Sequence, residues 1–123
     1  MREMVCVSPE GRITLGCTGM YNPEQLAAWT RVVKFVHEWT EAKRFFQVGH
    51  SGRKGATLLP WEGTDIPVED ETWERVGPSP ISYGPTLPPP REMTWRDMVD
   101  VKESFVRATV MADDAGFDMI ELH

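Results

Sequence analysis

Between Thr94 and Gly116 the apolar residues Met98, Val101, Phe105, Ala108, Ala112 and Ala115 recur at alternating steps of three and four. That spacing fixes a single apolar stripe along a helix. Thr94 with Asp97 forms a capping-box start, Asp standing in for the usual Glu or Gln, and Gly116 ends the helix as a left-handed cap. Phe117 to Leu122 then read as a strand. An earlier helix carries the same kind of signal. Asn22 can cap it, Pro23 suits its first position, and Glu24 and Gln25 favour its positive end. Leu26, Trp29, Val32, Val33 and Val36 make its apolar face, while His37 falls on the polar side and reads as solvated. Lys43 to Val48 form the strand after it, and residues 1–7 ("MREMVCV") form a strand before it.

The order is therefore β-α-β-long loop-α-β. Strands that alternate with helices in this way pair in parallel through crossover connections. An open doubly wound sheet and part of a (β/α)8 barrel both satisfy the pattern, and both place chemistry at the carboxyl ends of the strands. Gln47, Gly49 and His50 lie at one such end and His123 at another. Glu121 alternates with His123, so the two side chains face the same side of the last strand. No GxGxxG or GxxxxGK[ST] follows any strand, which removes the usual nucleotide fingerprints.

The loop of residues 50–93 has no strong periodicity and holds most of the prolines, in "PSPISYGPTLPPP". A connection this long is normally functional or disordered. Trp61, Trp73, Ile81 and Tyr83 supply anchors against full disorder. Arg53 and Lys54 read as a basic turn.

Composition narrows the function classes. A net charge of -6 with no Lys/Arg cluster argues against nucleic acid as a partner. No apolar run approaches the ~20 residues that span a bilayer, so no membrane association is expected. Cys6 and Cys17 fit no CxxC or Cys/His metal spacing, and no metal is expected. The chain reads as reduced, soluble and cytoplasmic.

Three segments in register, "REMVCVSPEGRITLGCTGMYNPEQLAAW", "QVGHSGRKG" and "AGFDMIELH", resemble the Old Yellow Enzyme family of FMN-dependent NAD(P)H oxidoreductases. The likeness covers nearly the whole chain. Its first block is especially similar to the reductase-like half of the bifunctional salicylyl-CoA or anthraniloyl-CoA hydroxylases.

The resemblance implies a (β/α)8 TIM barrel with FMN at the carboxyl-end mouth. A barrel of this kind needs about 250 residues. Residues 1–123 would then be a fragment of one FMN-binding domain, with about strands two to four. On that likeness it would stop inside the family's H-x-x-H-G-Y motif.

Carried over by position, Gln47 would bond the pyrimidine edge of the flavin, and Met4, after Glu3, would line the isoalloxazine ring. His123 would be the catalytic histidine that polarises the substrate oxygen. His50 and Arg53, in "GHSGR", would mainly shape the loop beneath the site. NADH or NADPH would reduce the flavin, which would pass hydride to an activated alkene or an acyl-CoA-type substrate with an electron-withdrawing group. The resemblance leaves room for a homo-oligomer in the full-length form. The alternative reading is a non-catalytic truncated remnant or interaction module that needs a complementary half-barrel.

Overall fold

The computed structural model describes residues 4–69 and 73–123. Its first element is strand β1, Val5–Cys6, followed by helix α1, Pro23–Trp39, and strand β2, Phe45–Gly49. Two short strands, β3 at Val76–Gly77 and β4 at Arg91–Glu92, precede helix α2, Trp95–Ala115, and strand β5, Met119–Leu122. Of the expected first strand, Met1, Arg2 and Glu3 lie outside the described residues. β2 begins two positions later than the sequence suggests, because Lys43 and Arg44 turn aside to Asp118.

Both helices end where their caps dictate. The Asn22 side chain accepts the Gln25 N–H at 2.9 Å, and Thr94 and Asp97 close a reciprocal capping box. At the end of α2, Gly116 takes φ 88°, a left-handed conformation that a Cβ would strain, and so turns the chain straight into β5.

β1, β2 and β5 form one parallel sheet in that order, with Val5 opposite Val48, Phe45 opposite Met119 and Gln47 opposite Glu121. One face of the sheet packs under both helices. Val5, Val7, Phe46 and Val48 meet Trp29 and Val33 of α1 and Ala108, Ala112 and Ala115 of α2. The alanines let α2 lie close to the sheet. Trp29 sits at the centre, edge-on to Phe46 and Phe117 with centroids 5.5 and 5.8 Å away. Its indole N–H donates to the Gly19 carbonyl at 3.0 Å.

At the amino end of the sheet, Asp118 gathers three donors. The Arg44 backbone N–H reaches it at 2.7 Å, His37 Nε2 at 2.8 Å and Lys43 Nζ at 3.0 Å. His37 is therefore a partner across the fold and not merely solvated, as its place on the polar face of α1 suggests. The Arg44 amide, then His37 and Lys43, hold the Asp118 carboxyl well below the usual carboxylate range. A depressed carboxyl adds stability above its unfolded value, near 3.9, and loses it as pH falls through the folded value. Asp118→Ala is accordingly expected to lower the thermal midpoint at neutral pH. Its deficit against the unmodified protein should shrink as pH falls below about 4. A deficit constant with pH would show that the carboxylate charge is not what is lost.

The long loop is tied down, though mostly not by the aromatic residues that the sequence singles out. Trp61 is 80% exposed and Ile81 is also exposed. The main ties are made by backbone and small side chains to the segment after β1. The Ser51 N–H donates to the Gly11 carbonyl at 2.9 Å, the Ser51 hydroxyl to the Arg12 carbonyl at 2.8 Å, and the Thr57 N–H to the Ile13 carbonyl at 2.9 Å. Tyr83 and Trp73 do contribute, stacking on Lys54 and Arg12 with the cations 4.7 and 4.6 Å from the ring centroids. Farther on, β3 and β4 pair in parallel, Val76 with Arg91 and Gly77 with Glu92. Arg91 fixes that join by ion pairs to Glu74 and Asp97 at 2.9 and 2.8 Å. Two-residue strands carry no periodicity, so this small sheet has no trace in the sequence pattern.

Candidate functional site

Because side chains alternate along a strand, residues between the core positions point to the opposite face of the sheet. Phe46 and Val48 are core residues of β2, so Gln47 and Gly49 belong to that second face. Ile120 packs against the core, so Glu121 and His123 share the second face from β5. The register then aligns them. Gln47 lies beside Glu121, and Met4, one residue before Val5, falls beside Gln47. The ladder continues past Leu122, where the His123 N–H donates to the Val48 carbonyl at 2.9 Å and brings His123 alongside Gly49.

Gly49 shows how tightly this face is built. A Cβ there would lie 2.6 Å from Met4 Cγ and 3.7 Å from the His123 Cβ. The absent side chain lets the Met4 side chain approach the strand end. Met4, Gln47 and His123 thus come together, and Glu121 joins them. Among the described residues the side chains of Gln47, Glu121 and His123 make no hydrogen bond to protein. Gln47 and Glu121 are only half-buried. The row offers a donor-acceptor amide, a carboxylate and an imidazole along one surface at the carboxyl ends of parallel strands.

His50 and Arg53 stand apart from the row. His50 Nδ1 accepts the Gly52 N–H at 3.0 Å, which leaves the ring proton on Nε2. That Nε2 is buried and has no partner among the described residues. Burial pushes the His50 pKa down and keeps the ring neutral. The ring packs so closely on Gly11 that a Cβ there would come within 2.9 Å of His50 Cδ2. Arg53 turns away to the Ile81 carbonyl at 3.4 Å. His50 thus packs the loop against the segment after β1, while Arg53 ties two parts of the loop together.

Sequence reasoning missed one part of this region. A cleft of about 530 Å³ opens beside Met4, between Ile13, Thr14 and Cys17 on one wall and Leu59 and Trp61 on the other. Those walls come from segments that no periodicity joins; only the ties of the long loop bring them together.

Comparison with known proteins gives a single answer. The sequence profile of the NADH:flavin oxidoreductase / NADH oxidase family matches residues 1–123. An NADH:flavin oxidoreductase of Gibberella zeae is 32% identical over 128 residues, an alignment that takes in 100% of this chain and 31% of that protein. An NADPH dehydrogenase of Listeria monocytogenes serotype 4a is 35% identical over 121 residues, covering 98% of this chain and 31% of its own. Among solved structures, morphinone reductase superposes with a TM-score of 0.82 at 24% identity, over 98% of this chain and 34% of its own. The chain spans about a third of the length of these proteins. The superposition shows that the parallel strands and helices follow the same fold as part of that larger α/β protein.

Proposed function

Because the chain belongs to the NADH:flavin oxidoreductase / NADH oxidase family, we propose that its Met4–Gln47–Glu121–His123 face is one wall of an FMN-dependent NAD(P)H oxidoreductase site. The hydride acceptor is a small molecule with an electron-withdrawing oxygen. What supports this reading is the row itself: unspent polar side chains aligned by register at the carboxyl ends of parallel strands, on the face opposite the core.

The residues present suit a flavin. The Gln47 amide has both a donor and an acceptor free, as a pyrimidine edge requires. Met4 and the bare Gly49 give an apolar surface beside it. FMN held by these residues would supply the hydride chemistry between NADH or NADPH and the acceptor. The work left to this chain is binding and polarisation. Gln47 orients the ring edge, and Met4 excludes water from the surface next to it. His123, by donating a hydrogen bond, stabilises the substrate oxygen on which negative charge develops.

A second reading, a module that docks a complementary half-barrel, draws on a different observation. Phe105, Val106, Val110 and Leu122 line an apolar groove along α2 and β5, with Leu122 67% exposed. The site reading predicts that the purified full-length protein retains FMN and that NADH or NADPH bleaches the oxidised-flavin absorbance without oxygen. A preparation that neither holds FMN nor is bleached by either nucleotide overturns it in favour of the docking module.

A further inference from the structure

Cys6 and Cys17 meet where the segment after β1 doubles back on it. The Cys6 N–H donates to the Thr18 carbonyl at 2.9 Å, the Met20 N–H donates to the Cys6 carbonyl at 3.0 Å, and Cys6 bridges Gly19 in parallel. This pairing holds the residues around Cys17 against Cys6.

The two sulfurs have opposite settings. Cys17 Sγ accepts the Thr14 N–H at 3.3 Å and lies 3.6 Å from the Thr14 hydroxyl. That hydroxyl oxygen already accepts the Gly16 N–H at 3.2 Å, which leaves its proton for the sulfur. Cys17 also lines both the cleft of about 530 Å³ and a neighbouring one of about 300 Å³. Cys6, by contrast, is 0% exposed. One sulfur is reached from solvent and surrounded by donors; the other waits behind it, shielded.

We propose that Cys6 and Cys17 form a reversible dithiol/disulfide site, with Cys17 the attacking sulfur and Cys6 the resolving one, open to small hydroperoxides through the cleft. The division of roles follows from access and hydrogen bonding. The Cys6 S–H, then the Thr14 N–H and hydroxyl, stabilise a Cys17 thiolate against the opposing effect of burial, and they hold the Cys17 pKa below the ordinary thiol value. The same hydrogen bond and burial push Cys6 up, so it keeps its proton.

The chemistry balances with a hydroperoxide as the oxidant. The Cys17 thiolate attacks the terminal peroxide oxygen; an S–O bond forms, the O–O bond breaks, and the alkoxide or hydroxide released takes up the proton that the thiol gave to solvent. The Cys6 sulfur then attacks the Cys17 sulfenic acid. The S–S bond forms, the S–O bond breaks, and the departing hydroxide leaves as water with the Cys6 proton. Two electrons pass from the two sulfurs to the peroxide. A dithiol reductant reverses the result by exchange.

The test is peptide mapping of the purified full-length protein after hydrogen peroxide treatment and blocking of free thiols with N-ethylmaleimide. The expected product is a Cys6–Cys17 crosslink that dithiothreitol removes. Cys6→Ser keeps a hydroxyl donor beside Cys17 but lacks the resolving sulfur. In that variant the crosslink should be lost and dimedone should label Cys17. Two free thiols after peroxide, a Cys17 sulfinic acid without crosslink, or a Cys17–Cys17 dimer in the unmodified protein would each overturn the proposal. Should Cys6→Ser fail to fold, the map of the unmodified protein decides alone.

Discussion

Trp29→Ala is expected to remove about 3–5 kcal/mol of stability, the usual range for deleting a large aromatic side chain from a packed core. Three losses combine there. The indole fills the space between α1 and the sheet, its edge-on contacts with Phe46 and Phe117 disappear, and the Gly19 carbonyl loses its donor. Gly19 belongs to the segment that doubles back along β1, so the loss reaches the wall of the cleft as well. Urea unfolding followed by circular dichroism measures the change as a fall in midpoint at constant slope. Trp39→Ala is the control, since Trp39 is 69% exposed on the same helix and stacks on the exposed Phe35. A surface change of that kind should stay within about 0.5 kcal/mol. Equal losses from the two variants would contradict the packing described.

Gln47→Leu is expected to weaken FMN binding by roughly 10- to 100-fold. Leaving one buried polar edge without its partner costs about 1–3 kcal/mol, and each 1.4 kcal/mol is about a factor of ten in affinity. The substitution tests the proposed role and little else. Gln47 is half-buried, and its amide bonds no described residue, so the fold itself loses no hydrogen bond. Fluorescence titration of the flavin and a spectroelectrochemical potential give the two readouts. Unchanged affinity together with an unchanged potential would remove Gln47 from the site. A lower thermal midpoint with normal flavin binding would mark it as structural instead.

The helices were legible in the sequence because their determinants are local. Asn22 with Pro23 and Thr94 with Asp97 act within one turn, and Gly116 stops α2 by its own backbone preference. The parallel alternation followed from those helices, and three sequence segments pointed to the family that the profile match over residues 1–123 then showed. What escaped was non-local. The pairing of His37 with Asp118 joins the end of α1 to the start of β5, and no spacing rule connects residues so far apart. Thr57 reaches Ile13 through its backbone, which any residue type could do. The candidate site was legible in part for the same reason. Gln47 and His123 could be recognised as strand ends, whereas their shared row with Met4 and Glu121 exists only through the sheet register. The nearness of Cys6 and Cys17 was not legible because it depends on the backbone turning back at Thr18 and Gly19.

The order of the sheet also governs how the molecule reaches this state. Val5 must find Val48, and Phe45 must find Met119, with no hairpin to set either register. Each pairing closes a long stretch of chain before its contacts repay the lost entropy, and topologies of this kind fold slowly for their size. The locally capped helices have no such delay. The row from Met4 to His123 therefore assembles only when the sheet does, and the speed of folding is set by the same two pairings that align the proposed site.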